Sequence, residues 1–115
     1  MTGWHLLSVG YDPILMRSRS LVLRHAGFRV DEAFNIRGAL GLIKSDSVHA
    51  VVICHTLSKA DQRWLISATR EARPVLPIVC ITTQAHDLPE AGCVGVDNDP
   101  AELVRSVKRA LGEAC

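Results

Sequence analysis

The chain is poor in aromatic residues, has no excess of either charge and contains no long hydrophobic run. Aromatic side chains make up 4% of its 115 residues, so the core has to be built from aliphatic side chains. The 13 Lys and Arg residues nearly balance the 12 Asp and Glu residues. The resulting net charge of +1 gives no general electrostatic reason to bind nucleic acid or a membrane surface. A membrane-spanning helix is not indicated either, because the sequence has no stretch of about 18 apolar residues.

Paired cysteine motifs and a secretory signal are also missing. The four cysteines are spread along the chain, at Cys54, Cys80, Cys93 and Cys115. Without a C-x-x-C pair, neither a zinc site nor a thioredoxin-type redox centre is indicated, and the five histidines show no ligand spacing. The N-terminus has no basic segment followed by an apolar one. We therefore expect reduced thiols, a cytoplasmic location, and neither a metal nor another cofactor.

What the chain does contain is enough aliphatic material for one domain over residues 1–115. Hydrophobic residues make up 48% of the sequence, and this content with balanced charge excludes intrinsic disorder. Short apolar runs alternate with helix-like segments. The runs predict five strands, at residues 5–9, 28–33, 48–54, 76–82 and 93–96.

Several residues indicate where the helices begin and end. Asp12 is a suitable N-cap for the first helix, with Pro13 as its first residue, and Gly27 suits its end. Asn35 is expected to cap the second helix. The pair Asp99-Pro100 repeats the pattern at the last helix. In the first helix one stripe at helical spacing is mostly apolar, which is typical of a core-facing side, and contains Ile14, Leu15, Ser18, Leu21, Val22 and His25.

The lack of polar alternation in the strands indicates that both faces of the sheet are buried. Such strands are typical of a parallel sheet covered by helices. Strand–helix alternation then predicts right-handed crossovers. The sequence therefore predicts a flavodoxin-like (βα)5 α/β fold, a doubly wound five-stranded parallel sheet in the order 2-1-3-4-5. In this fold a functional site lies at the carboxyl ends of the strands, here residues 9–11, 54–56, 82–83 and 97–99.

At this point the sequence resembles the receiver domains of bacterial response regulators, of the chemotaxis type. The resemblance covers about residues 5–111. It is carried by the order and spacing of Leu7-Ser8-Val9-Gly10-Tyr11-Asp12-Pro13, Gly27-Phe28-Arg29-Val30, Ala39-Leu40, Pro77-Ile78-Val79-Cys80-Ile81-Thr82-Thr83, Gly92-Cys93 and Asp99-Pro100. In that family Mg²⁺, bound by hard oxygen ligands, assists phosphoryl transfer from a histidine kinase to an aspartate.

The sequence departs from the family at the residues that carry this chemistry. By the resemblance, the two metal-binding acids fall on Gly10 and Tyr11, the phosphoacceptor on Cys54 and the lysine on Asp99. Only Thr82 matches a functional residue of the family. A pocket without ligand carboxylates is not expected to hold Mg²⁺, and a phosphoryl group there would meet the like charge of Asp99. The resemblance therefore implies a degenerate pseudo-receiver that is not phosphorylated in the usual way.

Two further departures affect the expected output surface. The aromatic switch position of the family corresponds to Val96. Only ten residues separate Thr82 from Gly92, which predicts that the fourth of five helices is shortened or irregular, with Pro89 disfavouring helix at Leu88.

These features together predict a single-domain, non-enzymatic signalling protein that acts through protein–protein contact. Its partner would be a histidine kinase, a phosphotransferase or an effector, and a homodimer is a further option. The candidate docking surface comprises Arg17, Arg24, Trp64, Arg105 and Arg109. The arginines also fit an ordinary solvated surface, and Trp64 equally fits half-buried packing. Because the chain stops at Cys115, no output domain is expected after it.

Two other functions stay open at this stage. Cys54 is either a reactive thiol of a sensor or enzyme, or a small buried residue. Tyr11 is expected to fill the vacated metal position with its ring, or to use its hydroxyl on a ligand. A flavodoxin-like small-molecule-binding module is the third option, although no glycine-rich phosphate loop supports it.

Overall fold

Strands and helices alternate along the part of the chain that the structure describes. This computed structural model describes residues 3–45, 47–81, 94–96 and 100–112, with backbone alone at 94–96 and 100. The strands are β1 (His5–Val9), β2 (Arg29–Ala33), β3 (Ala50–Ile53), β4 (Ile78–Ile81) and β5 (Val94–Val96). The helices are α1 (Pro13–His25), α2 (Ile36–Lys44), α3 (Lys59–Ala72) and α4 (Pro100–Ala110).

The strands form one parallel sheet in the order β2-β1-β3-β4-β5. The predicted flavodoxin-like α/β fold is confirmed, with the order 2-1-3-4 for the first four strands. The backbone of β5 pairs with β4, with Val94 opposite Val79. The predicted short helix between residues 84 and 90 lies outside the described residues.

The helices cover the two faces of the sheet in pairs. One core cluster joins α2 and α3 to the sheet through residues such as Ile43, Leu65 and Val51. The other joins α1 and α4 to the opposite face through Leu23 and Val107. Strands β1, β3 and β4 are buried on both sides, as their uninterrupted apolar sequence predicted.

Side-chain caps begin the helices where the sequence predicted them. The Asp12 carboxylate accepts hydrogen bonds from the backbone N–H groups of Ile14 (3.0 Å) and Leu15 (3.3 Å). The Asn35 side chain accepts from the N–H of Gly38 at 2.7 Å. Gly27 follows α1 with φ of 103°, a left-handed conformation that favours glycine. The predicted cap Asp99 lies outside the described residues.

The side of α1 that faces the sheet differs from the predicted one. Within the predicted stripe, Ile14 is 79% and Leu21 is 59% exposed. The helix instead buries Met16, Arg19, Ser20 and Leu23. This side tolerates polar residues because they find partners: the Ser20 hydroxyl donates to Glu32 Oε2 at 2.7 Å. The apolar stripe of α1 is therefore largely an outer surface.

Among the described helices, none is both long and apolar enough to cross a membrane.

Candidate functional site

The ends of β1 and β3 bring two of the predicted site residues together. Val9 pairs with Ile53 in the parallel register, so the residues after them, Gly10 and Cys54, are neighbours. The N–H of Cys54 donates to the carbonyl oxygen of Val9 at 2.8 Å. Two other predicted members of this site, Thr82 and Asp99, lie outside the described residues. The described half of the site is therefore built on the β1–α1 and β3–α3 connections.

Gly10 is packed so closely that no side chain fits there. A Cβ atom on residue 10 would lie 2.8 Å from Met16 Sδ and 2.9 Å from Cys54 Cβ. It would also lie 3.1 Å from Thr56 Oγ1. Contacts below about 3 Å between such atoms are repulsive, so a larger residue requires its neighbours to move. The space that the family's first acid would need is occupied by Met16 and Cys54.

The Cys54 thiol is part of the core. Its residue is fully buried, and the thiol donates to Met16 Sδ at 3.5 Å. The Ser8 hydroxyl reaches the same sulfur at 3.6 Å. Burial raises the pKa of Cys54, and the positive charge of Arg19 opposes this effect only in part. Because the thiolate is the nucleophile, the environment of Cys54 disfavours reaction.

Tyr11 lies across the edge of the site rather than inside it. The residue is 40% exposed, and its hydroxyl donates to Asp61 Oδ2 at 2.7 Å, on α3. Its backbone N–H donates to Thr56 Oγ1 at 2.9 Å. The ring of Tyr11 therefore lies at the edge of the site, and its hydroxyl is bound by the protein itself. The hydrogen bond to Asp61, followed by burial, raises the pKa of Tyr11 to about 12.

A buried arginine connects α1 to the end of β3. Arg19 is 7% exposed, and its Nη2 lies 3.2 Å from Nδ1 of His55. A guanidinium can only donate, so Nδ1 is the acceptor in this contact. Burial, and next the charge of Arg19, lower the pKa of His55, whereas Asp12 acts in the opposite direction. This arrangement favours a neutral imidazole beside a fixed positive charge.

The Mg²⁺ ion that the resemblance implies does not fit the described residues. Mg²⁺ needs hard oxygen ligands in a nearly octahedral set. Gly10 and Cys54 supply no side-chain oxygen, and Tyr11 supplies only a phenol whose proton is held by Asp61. The Asp12 carboxylate already accepts two N–H groups of α1. Within the described ranges no group of three or more His, Cys, Asp or Glu residues is placed to hold a metal.

The predicted docking residues divide between the two faces of the molecule. Arg17 and Arg24 lie on α1, and Arg105 and Arg109 on α4, so these four share the layer on one face. Trp64 lies on α3 in the layer on the opposite face, where it is 48% exposed. Beside it is a groove of about 410 Å³ between α2 and α3. Trp64 is therefore not continuous with the four arginines.

Two of these arginines are held by the protein itself. Arg24 Nη2 donates to the carbonyl oxygen of Val30 at 2.9 Å, which ties α1 to β2. Arg105 Nη2 lies 2.6 Å from Glu102 Oε2, one turn away on α4. Such an exposed pair adds little stability but reduces the net charge of the surface around it.

Sequence reasoning missed Met16, Arg19 and Asp61, which define the shape of the site. Met16 and Arg19 are not assigned to the site by sequence, because the apolar stripe of α1 predicts that the other side of the helix faces the sheet. Their common spacing with Ser20 and Leu23 is the only signal that could have identified this face. Asp61 sits in the first turn of α3, where an acid is ordinary, so nothing in the sequence connects it to Tyr11.

Neither a protein-family model nor a curated protein matches this sequence. Solved structures do resemble it. A CheY-like response regulator receiver domain protein from Methanospirillum hungatei has a TM-score of 0.83 at 18% identity, with 96% of this chain and 95% of that chain covered. Chemotaxis protein CheY4 from Vibrio cholerae has a TM-score of 0.80 at 20% identity, covering 95% and 99%.

A more similar sequence is found in a two-component response regulator of the LuxR family from Aurantimonas. Its TM-score is 0.81 at 27% identity, covering 96% of this chain and 86% of that one. The TM-scores of 0.80 or more over nearly the whole chain show that these neighbours share its fold. The chain therefore has the fold of a CheY-like response regulator receiver domain.

Proposed function

We propose that this chain is a receiver-like signalling protein that works through protein contact and is not phosphorylated by the Mg²⁺-dependent aspartyl mechanism. The observation that carries the proposal is the packing of Gly10 against Met16 and Cys54. By the sequence resemblance, Gly10 and Cys54 stand where a receiver has a metal-binding acid and its phosphoacceptor. Here these positions form a packed junction between β1 and β3.

The electrostatics of the site support the same proposal. The fixed cation near the pocket is Arg19, and it lies against His55 beneath the surface. The Tyr11–Asp61 hydrogen bond ties the β1–α1 connection to α3 across the edge of the site. Phosphoryl transfer requires a nucleophile, a metal and open space in line with them. In the described part of the site neither Gly10 nor Cys54 supplies a carboxylate, and Met16 and Cys54 leave no room for a side chain on residue 10.

The partner is proposed to be a protein of a signalling pathway, such as a histidine kinase, a phosphotransferase or an effector. The structural neighbours include receiver domains of the hybrid histidine kinase CckA and the sensor histidine kinase PA1611, which supports a kinase-linked context. The exposed arginines of α1 and α4 are the proposed docking surface. A non-enzymatic role, a cytoplasmic location and the option of a homodimer belong to the same proposal.

The test is exposure of the folded protein to acetyl phosphate with Mg²⁺, followed by intact-mass measurement. We expect no gain of a phosphoryl group, whereas a conventional receiver treated in parallel gains one. A beryllofluoride–Mg²⁺ mixture is likewise expected to leave the amide spectrum unchanged. A stoichiometric aspartyl phosphate on this chain overturns the proposal.

The thiol-based alternative is less well supported. Cys54 is fully buried and burial raises its pKa, so its reaction with a thiol reagent at pH 7 should be slow until the protein unfolds. Cys80, which is also buried in the sheet, provides an internal comparison. Selective fast labelling of Cys54 in the native protein would restore the sensor interpretation.

A further inference from the structure

The outer side of α1 exposes large apolar residues that do not stabilise the core. Ile14 is 79% and Leu21 is 59% exposed, and they lie two helical turns apart on one stripe. Isolated exposed apolar residues are common on protein surfaces. Leu21, however, adjoins further apolar residues of α1 and α4, which together form an apolar surface of the kind found at binding sites.

This stripe forms one wall of a groove between α1 and α4. The groove has a volume of about 550 Å³ and is lined by Leu21, Val22, His25, Ala26, Ala101 and Val104. The side chains from α4 are small or only half-buried, so the groove is open along the helices. Its lining is apolar except for His25. A groove between two helices accepts the ridge of a third helix, and among the described residues no strand edge lines the groove to pair with an extended peptide.

The surroundings of the groove are positively charged. Helix α1 carries the exposed Arg17 and Arg24 and no acid, and α4 carries three basic residues against the single acid Glu102. Glu102 is paired with Arg105 at 2.6 Å. Arg17 and Arg109 are exposed, one on each helix. The groove is thus an apolar channel whose exposed charges are basic.

We propose that the α1–α4 groove binds an acidic amphipathic helix of a partner protein, with apolar residues at i, i+3 or i+4, and i+7 against Leu21 and Val104. The inference rests on the proposed function as a protein-contact module and names the chemistry of its partner. Charge complementarity selects this occupant, because opposite potentials across an interface favour association. A second copy of the chain would present the same basic helices and is disfavoured.

The test uses a synthetic helical peptide of roughly 15–20 residues, long enough to form a helix on binding. It carries leucines on one face and glutamates on the flanking positions. A second peptide replaces each glutamate by lysine, and a third keeps the composition but scrambles the order. Binding is followed by amide chemical shifts and by titration calorimetry. The glutamate peptide should shift amides of α1 and α4, bind at least about tenfold more tightly than both controls, and weaken as salt is raised.

Variants locate the binding site. Leu21→Asp should weaken binding of the glutamate peptide by about tenfold or more, since the substitution places a negative charge, like those of the peptide, in the apolar groove. Val75→Asp is the matched control, because Val75 is 93% exposed and does not line the groove, and its affinity should stay unchanged. Circular dichroism checks that both variants remain folded. The double variant Arg17→Glu and Arg109→Glu should reverse the preference between the glutamate and lysine peptides.

Each contrary result overturns the inference. Equal binding of the lysine peptide shows that charge does not select the partner, and an absence of binding below about 1 mM excludes the helix. If the amide shifts are confined to α2 and α3, the peptide binds at the Trp64 face and not in the α1–α4 groove. A dimer in sedimentation that Leu21→Asp dissociates identifies the occupant as a second copy. Phosphorylation by acetyl phosphate with normal peptide binding would instead overturn the proposed function and leave this inference intact.

Discussion

At the scale of single residues, the contacts around Gly10 determine what can stand at the end of β1. The neighbouring atoms are Met16 Sδ and Cys54 Cβ, both below 3 Å from a Cβ built on residue 10. The sequence shows that an acid is missing here but not what replaces its volume. What fills the volume depends on which side of α1 faces the sheet, and this side places Met16 under the β1–α1 connection.

Gly10→Asp is expected to lower the free energy of unfolding by about 1–3 kcal/mol, the usual cost of overfilling a packed site. Urea denaturation at neutral pH measures it. Gly41→Asp is the control, because a Cβ on Gly41 meets nothing within 4 Å. If Gly10→Asp unfolds at the same urea concentration as the parent, the packing account of the site is wrong.

Tyr11 gives a second residue-scale prediction, which concerns pH. Its pKa is raised to about 12, above the ordinary value near 10 that the unfolded chain retains. The native state therefore holds the phenol proton more tightly than the unfolded state. This stabilising contribution is fully present below about pH 10 and is lost as the pH rises towards 12.

The chain contains a single tyrosine, so phenolate absorbance reports Tyr11 alone. Asp61→Asn should bring its titration back towards the ordinary value, because the charged acceptor is removed. Glu71→Gln, on the exposed side of α3, should leave it in place. A titration that does not respond to Asp61→Asn would refute the hydrogen bond as the cause.

At the scale of elements, α1 shows how a correct helix can be assigned the wrong face. Its beginning at Asp12-Pro13 was predicted correctly, because capping depends on neighbouring residues alone. Its buried face depends on what the sheet offers. Ser20 and Arg19 face inward because Glu32 and His55 are there to receive them. Hydrophobic periodicity contains no information about such partners.

Substitutions on the two faces of α1 should differ in how much they lower the free energy of unfolding. Ile14→Gln and Leu21→Gln are expected to change the free energy of unfolding by less than about 0.5 kcal/mol, as surface substitutions do. Leu23→Ala, at a fully buried position, should cost about 2–5 kcal/mol. Urea unfolding of the three variants compares them directly. A large loss for Leu21→Gln would mean that the predicted stripe does face the core.

At the scale of the whole molecule, the fold was predictable and the distribution of functional surfaces was not. Strands whose residues do not alternate between polar and apolar indicate a parallel sheet. Because the crossovers between parallel strands are right-handed, few strand orders remain possible. Which helices lie on the same face of the sheet becomes clear only when the strands are placed in their order in the structure. Trp64 and Arg105 both look like interface residues in sequence, yet they lie on α3 and α4, on opposite faces of the sheet.

The sheet should also set the order of hydrogen exchange. Strands β1 and β3 lie inside the sheet and are fully buried, whereas β2 is at its edge and has exposed residues. Amides of β1 and β3 are therefore expected to exchange only through global unfolding, and those on the outer edge of β2 to exchange faster. Native-state exchange in low urea separates the two classes. Equal protection throughout the sheet would contradict this order.

The junction of Gly10, Met16 and Cys54 has a consequence for how the chain can change by mutation. An acid at residue 10 gains nothing while Met16 fills the space beside it, and a smaller residue at 16 leaves a cavity while residue 10 is glycine. An aspartate at residue 54 would be buried among sulfur atoms. Each single substitution towards an acidic pocket at this junction is therefore expected to lower stability, so only coordinated substitutions at residues 10, 16 and 54 would introduce acids here without that loss.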